Sequence, residues 1–112
     1  MAIHLKTTTP KKLLAAYKKA IDDGTVDTWS YDSDGDFTHT PDQWIRKAWL
    51  RPKIIERNEL VFSILAPKEV KLSNIVYAVY HGRFIESMLR HCDPLFSEAF
   101  VSALPENSDR AG

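Results

Sequence analysis

Four histidines, a lone cysteine and a run of aspartates are the groups in this sequence that could do chemistry. Asp32-Ser33-Asp34-Gly35-Asp36 comes nearest to a cation loop. The EF-hand template needs oxygen ligands at positions 1, 3 and 5, glycine at 6 and glutamate at 12. Counted from Asp32, position 6 is Phe37 and position 12 is Gln43; counted from Ser30, Gly35 falls at 6 but Pro41 at 12. Both frames fail, so the run reads as a hairpin turn and no metal site is expected. His4, His39, His81 and His91 show no zinc spacing, such as a pair four apart on one helix turn, and Cys92 alone cannot complete a thiolate site.

His81 lies among Tyr77, Phe84, Ile85 and Met88, the surroundings of a hydrogen-bonded core histidine. His39 sits where a hairpin would set it beside Trp29, with acidic neighbours. A general base also needs a cleft and a positioned partner, and neither is visible in the sequence. His91 and Cys92 are adjacent, so on a helix their side chains diverge by about 100° and cannot form a nucleophile–base couple. Cys92 reads as a buried structural thiol. No catalytic constellation and no cofactor motif emerges.

Charge is the more informative pattern. Fifteen Lys and Arg balance fifteen Asp and Glu, which is not the basic excess of a dedicated nucleic-acid binder. The balance is uneven along the chain. Asp22, Asp23, Asp27, Asp32, Asp34, Asp36 and Asp42 follow one another without a Lys or Arg. Arg46, Lys47, Arg51, Lys53 and Arg57 come next against Glu56 alone, interleaved with Trp44 and Trp49. Basic residues with aromatics can track a phosphate backbone and stack bases, but the acidic segment beside them would repel it. The simpler reading sets the two segments side by side in a sheet, where they partly neutralise each other.

The elements that must position these groups follow from punctuation and period. Ile3 and Leu5 alternate in residues 1–8, as in a short edge strand. Thr9 as cap and Pro10 at the first position open an amphipathic helix over 10–23, with Leu13, Leu14, Tyr17, Ala20 and Ile21 inward and Gly24 closing it. A hairpin follows around Asp34-Gly35. A two-residue loop would mix aromatic and polar residues on both faces. A three-residue loop, Ser33-Asp34-Gly35, pairs Tyr31 with Phe37 and Trp29 with His39, and segregates them from Thr28, Ser30, Asp32, Asp36, Thr38 and Thr40. The cleanly segregated register is the one expected.

Thr40-Pro41-Asp42-Gln43 predicts a short helix over 41–47. Residues 48–56 and 60–66 read as a second hairpin turning at Arg57-Asn58-Glu59, and Pro52 requires an edge or bulge. Ser73 opens the longest helix, to about His91, apolar around most of its circumference; Glu86 and Arg90 mark its exposed strip. Residues 95–104 fit a last helical turn or a final strand, and the alternation of Ala99, Val101 and Ala103 favours the strand.

With 112 residues, 44% of them hydrophobic, the chain forms one domain over residues 1–104 and a flexible tail over 105–112. The fold class is α+β: an antiparallel sheet of four to five strands with two main helices on one face. A single cysteine, a start without a signal-peptide run and no membrane-length apolar stretch fit a cytoplasmic protein of the small bacterial kind. The expected function is non-enzymatic protein interaction, as in an adaptor, inhibitor or immunity-type protein. Trp29, Tyr31, His39, Trp44, Arg46, Lys47, Trp49, Arg51 and Lys53 are its expected binding residues. The alternatives are nucleic-acid binding through residues 44–57 and a small hydrolase or nuclease using His39 or His81. Partners are another protein and a second copy of the chain, the latter meeting on Tyr77, His81, Phe84 and Met88 of the long helix; no membrane is involved.

Overall fold

The computed structural model describes residues 2–55, 58–104 and 109. Six strands form one antiparallel sheet: β1 (Ala2–Lys6), β2 (Trp29–Tyr31), β3 (Phe37–His39), β4 (Trp49–Ile55), β5 (Glu59–Leu65) and β6 (Glu98–Val101). The spatial order is β2-β3-β4-β5-β1-β6, and α1 (Pro10–Asp22) and α2 (Asn74–Cys92) pack on one face. The class is α+β as expected, with more strands than expected because residues 2–6 and 98–101 both join the sheet.

β1 is not the edge strand that its alternation implied. It lies between β5 and β6, with Ile3 opposite Phe62 on one side and Val101 on the other. Its ladder bonds alternate between these neighbours. The Thr7 N–H donates to the Asn58 carbonyl at 3.0 Å and the Ser102 N–H to the Ala2 carbonyl at 3.3 Å, so odd residues bond β5 and even residues bond β6. Where β1 runs out, the Ile64 N–H is taken by an Asp109 carboxylate oxygen at 2.8 Å. The remaining tail residues, 105–108 and 110–112, lie outside the described residues, as do 56, the end of the expected strand over 48–56, and 57, the start of the expected turn.

Helix α1 ends on Gly24 at φ +80°, whose N–H reaches the Ile21 carbonyl at 3.0 Å. Its start differs from expectation. Thr9 makes no side-chain cap; Thr7 Oγ1 instead accepts the Thr9 N–H at 3.1 Å. Ser73 does cap α2, accepting the Val76 N–H at 3.3 Å. Pro52 sits where the sequence required. The ladder phase of β4 turns its nitrogen away from β5, and β3 pairs with β4 only at Phe37–Leu50. From Arg51 on, that side of β4 is an edge.

The expected helix over 41–47 is a chain of turns. One helical turn forms, with the Trp44 and Ile45 N–H groups on the Pro41 carbonyl at 2.8 and 3.0 Å, and then Arg46 adopts φ 56°. The chain must re-enter the sheet at Trp49, which leaves no room for a second turn. Side chains replace the missing helix bonds: Thr38 Oγ1 accepts the Arg46 N–H at 3.1 Å, and the Tyr80 hydroxyl donates to the Trp44 carbonyl.

Phe84 of α2 is the centre of the core. Its ring lies 4.5 Å from Phe62, 5.0 Å from Trp29, 5.2 Å from Tyr17 and 6.0 Å from Phe37. The strip of Tyr77, His81, Phe84 and Met88, expected to form a shared surface between copies, is therefore the inward face of α2 and is buried within one chain. A six-stranded sheet flanked by α1 offers enough apolar area to cover it. The large apolar residues that α2 leaves exposed are Ile75 and Leu89.

Candidate functional site

The first hairpin has the segregated register. Trp29 pairs with His39, Ser30 with Thr38 and Tyr31 with Phe37. Gly35 takes φ +82°, its N–H bonds the Asp32 carbonyl at 2.9 Å, and the Asp32 N–H bonds the Asp36 carbonyl at 3.0 Å. This is the three-residue loop with a left-handed third position that the sequence required. Asp32 Oδ1 accepts the N–H groups of Asp34 and Asp36 at 2.9 and 3.0 Å. The carboxylates of Asp32, Asp34 and Asp36 lie within 4.8 Å of one another, but those of Asp32 and Asp36 already have partners, in the turn and on Arg51. Tyr31 donates to Asp22 Oδ1 at 2.7 Å and carries Lys18 Nζ 5.2 Å above its ring, which ties the hairpin to α1.

His39 is buried. It stacks on Trp29 at 4.5 Å and meets Tyr80 edge-on at 6.1 Å. Its Nδ1 donates to the Thr28 carbonyl at 2.7 Å, which leaves Nε2 as a lone-pair acceptor. Burial pushes the His39 pKa below its ordinary value and outweighs the opposing pull of the Thr28 carbonyl; Arg83 lowers it further. His39 lines a cavity of about 270 Å³ between the hairpin and α2.

Arg83, Glu86, Arg90, His91 and Asp27 complete the rim of this cavity, with Ser87 in its wall. Arg83 holds Glu86 at 3.4 Å, and Ser87 shares a 2.7 Å hydrogen bond with the Tyr17 hydroxyl. The rim thus carries two arginines against two carboxylates. It is a polar recess, and among the described residues the hydrogen bond of His39 goes to a backbone carbonyl and not to a nucleophile. Sequence reasoning found His39 but not its neighbours. Glu86 and Arg90 marked an exposed helical strip, which is correct, but nothing local indicates that the hairpin faces that strip.

The basic aromatic segment does not assemble as one surface. Trp44 packs against the core, and exposed Arg46 and Lys47 leave on the turn. Trp49, Arg51 and Lys53 alternate onto the helix-free face of β4, opposite Leu65, Ser63 and Val61. There Arg51 is occupied by Asp36, through Nε–Oδ1 at 2.9 Å and Nη2–Oδ2 at 2.8 Å. The acidic and basic segments meet through this one pair, Asp36 with Arg51. Cys92 is buried, and burial raises its pKa above the ordinary thiol value.

The sheet edges differ. β2 has three residues and polar flanks in Asp27, Thr28 and Asp32. β6 is apolar: Phe100 is 46% exposed, Val101 39%, and Leu104 just beyond it 76%. Phe100 stacks on His4 at 4.5 Å with the rings 2° from parallel, while His4 Nδ1 meets Glu59 Oε1 at 2.9 Å. By the ladder phase set at Ser102, residues 98, 100 and 102 turn their backbone groups to β1. Ala99 and Val101 turn theirs outward. No helix among the described residues is long and apolar enough to cross a membrane. Comparison with protein-family models, curated proteins and solved structures finds no match.

Proposed function

We propose that the chain is a non-catalytic protein-interaction module, of adaptor, inhibitor or immunity type, that associates by strand addition along β6. One observation carries this reading. Among the described residues no strand pairs with the outer side of β6, where Ala99 and Val101 turn their backbone groups, and Phe100, Val101 and the neighbouring Leu104 are exposed. Backbone hydrogen bonds supply affinity in this mode, and side-chain contacts supply selectivity. Natural sheets usually blunt such edges with charge or proline, and the Glu98–Val101 strand has only Glu98. The buried thiol of Cys92 fits a reducing cytoplasm.

The test is capture from the native cell, using wild type and Ala99→Pro as parallel baits and quantitative mass spectrometry. Proline at 99 removes an outward N–H and leaves the ladder to β1 intact. A protein retained by wild type and lost by the variant supports the module. Identical captures on both baits remove it.

A second reading rests on His39, which lines the polar recess together with Glu86: small-ligand binding or general-base chemistry there. Thermal-shift screening of small carboxylates, phosphates and amines against wild type and His39→Gln tests it. A ligand that stabilises only wild type supports the recess, and no hit on wild type ends it. Nucleic-acid binding through residues 44–57 has less support, because Arg51 is engaged by Asp36 and Trp44 is packed inward. Anisotropy with labelled single strands at about 50 mM salt, where phosphate contacts are strongest, checks it.

A further inference from the structure

We propose that the occupant of the β6 edge is a second copy of this chain, paired antiparallel across a twofold axis through Phe100. The inference rests on β6 being the working surface and goes on to name its partner. A twofold axis normal to the sheet keeps every side chain on its own face. Facing residues must then differ by an even number of positions, which leaves few registers for a strand of four residues. Centred on Ala99, the pairing joins one outward-bonding residue to itself and sets Glu98 opposite Phe100. Centred on Phe100, it joins Ala99 of each copy to Val101 of the other, both of which turn N–H and C=O outward. The second arrangement forms the larger set of hydrogen bonds.

Side chains agree with that register. Phe100 faces Phe100 of the other copy at a non-hydrogen-bonded position, where side chains approach most closely. Glu98 faces Ser102 and not another carboxylate, while Lys6 of its own chain stays 3.5 Å away. No like charges oppose each other. Asp109 is anchored at Ile64 on β5, two strands inside the edge. Pairing would join two six-stranded sheets into one continuous sheet and cover Phe100 and Val101, both exposed in the single chain. Two short strands bury less than the roughly 1,200 Å² of a standard interface, so association is weak, with a Kd above about 10 μM.

Sedimentation equilibrium from about 10 μM to 1 mM, spanning the Kd expected of so small an interface, is the test. Apparent mass should climb from one chain towards two. Val101→Pro, which removes an outward N–H, should lower association at least tenfold while circular dichroism stays unchanged. Phe100→Glu and Phe100→Lys probe the axis itself. Each alone sets like charges face to face and should lower association at least tenfold, whereas their equimolar mixture should recover it. A one-chain mass throughout would falsify the dimer, and if Ala99→Pro still loses a captured protein the interaction module survives with a different partner. Dimers that ignore both Val101→Pro and the charge swap place the contact elsewhere and overturn the proposal.

Discussion

Arg51 and Asp36 form a two-pronged ion pair that fastens the first hairpin to β4, although β3 and β4 share a single residue pair, Phe37 with Leu50. The carboxylate is nearly buried, at 7% exposure, while the guanidinium is half exposed. Each therefore plays a different part. Removing the charge of Asp36 leaves Arg51 free to turn to water, whereas removing Arg51 strands a buried carboxylate.

Arg51→Ala should therefore cost more stability than Asp36→Asn, roughly 2–3 against 1–2 kcal/mol, the range for losing a charged hydrogen-bond partner. Urea unfolding of both variants and the double variant checks this. Equal costs, or a coupling energy near zero, would show that the pair is screened like an ordinary surface contact.

Trp29→Ala should cost about 3–5 kcal/mol, the usual range for truncating a large buried aromatic. The indole packs edge-on to Tyr80 at 5.5 Å and Phe84 at 5.0 Å, and flat on His39. A loss below about 1 kcal/mol, typical of surface positions, would mean that this face is open to solvent.

Acid should weaken the fold through His39. The unfolded chain takes up a proton on this ring as pH falls below about 6.5, but the native state resists until a lower pH because the ring is buried. Between those two values the unfolded state binds more protons, so stability is lost as pH falls. Chemical denaturation at pH 7 and at pH 5 should show a shallower pH dependence in His39→Gln than in wild type. An unchanged slope would assign the effect to other groups.

Tyr77→Phe should be neutral or stabilising by up to about 1 kcal/mol, because a buried unsatisfied hydroxyl carries a desolvation cost and no compensating bond. Among the described residues its hydroxyl is the buried side-chain oxygen with no partner. A clear loss of thermal stability would reveal a bound water serving that group.

What the sequence revealed depended on the range of the interaction involved. The hairpin register was legible because Gly35 and the alternation of Trp29, Tyr31, Phe37 and His39 impose local constraints that agree. Pro52 likewise announced an edge wherever its neighbours lay. β1 was misplaced because alternation shows that one face is buried, but not whether one or two strands flank it. The inward face of α2 looks like a shared surface in the sequence for a related reason. Helical period located Phe84 and Met88 on one strip, but the sheet area available to cover them depends on strands far away in sequence. His39 could be singled out from its hairpin. Arg83, Glu86 and Arg90 could not be joined to it, because only the packing of α2 on the sheet brings them together.

The place of β1 also sets an order of events for the nascent chain. Residues 2–6 are made before every other strand of the sheet, yet their partners are β5, more than fifty residues later, and β6, later still. The β2–β3 and β4–β5 hairpins can each close as they emerge, whereas the first strand must wait and then insert between β5 and β6. Such non-local pairing slows folding, since loop closure precedes any gain from contact. Ile3 and Leu5 therefore have no partner strand until β5 is made, and β6 then closes the other side of β1.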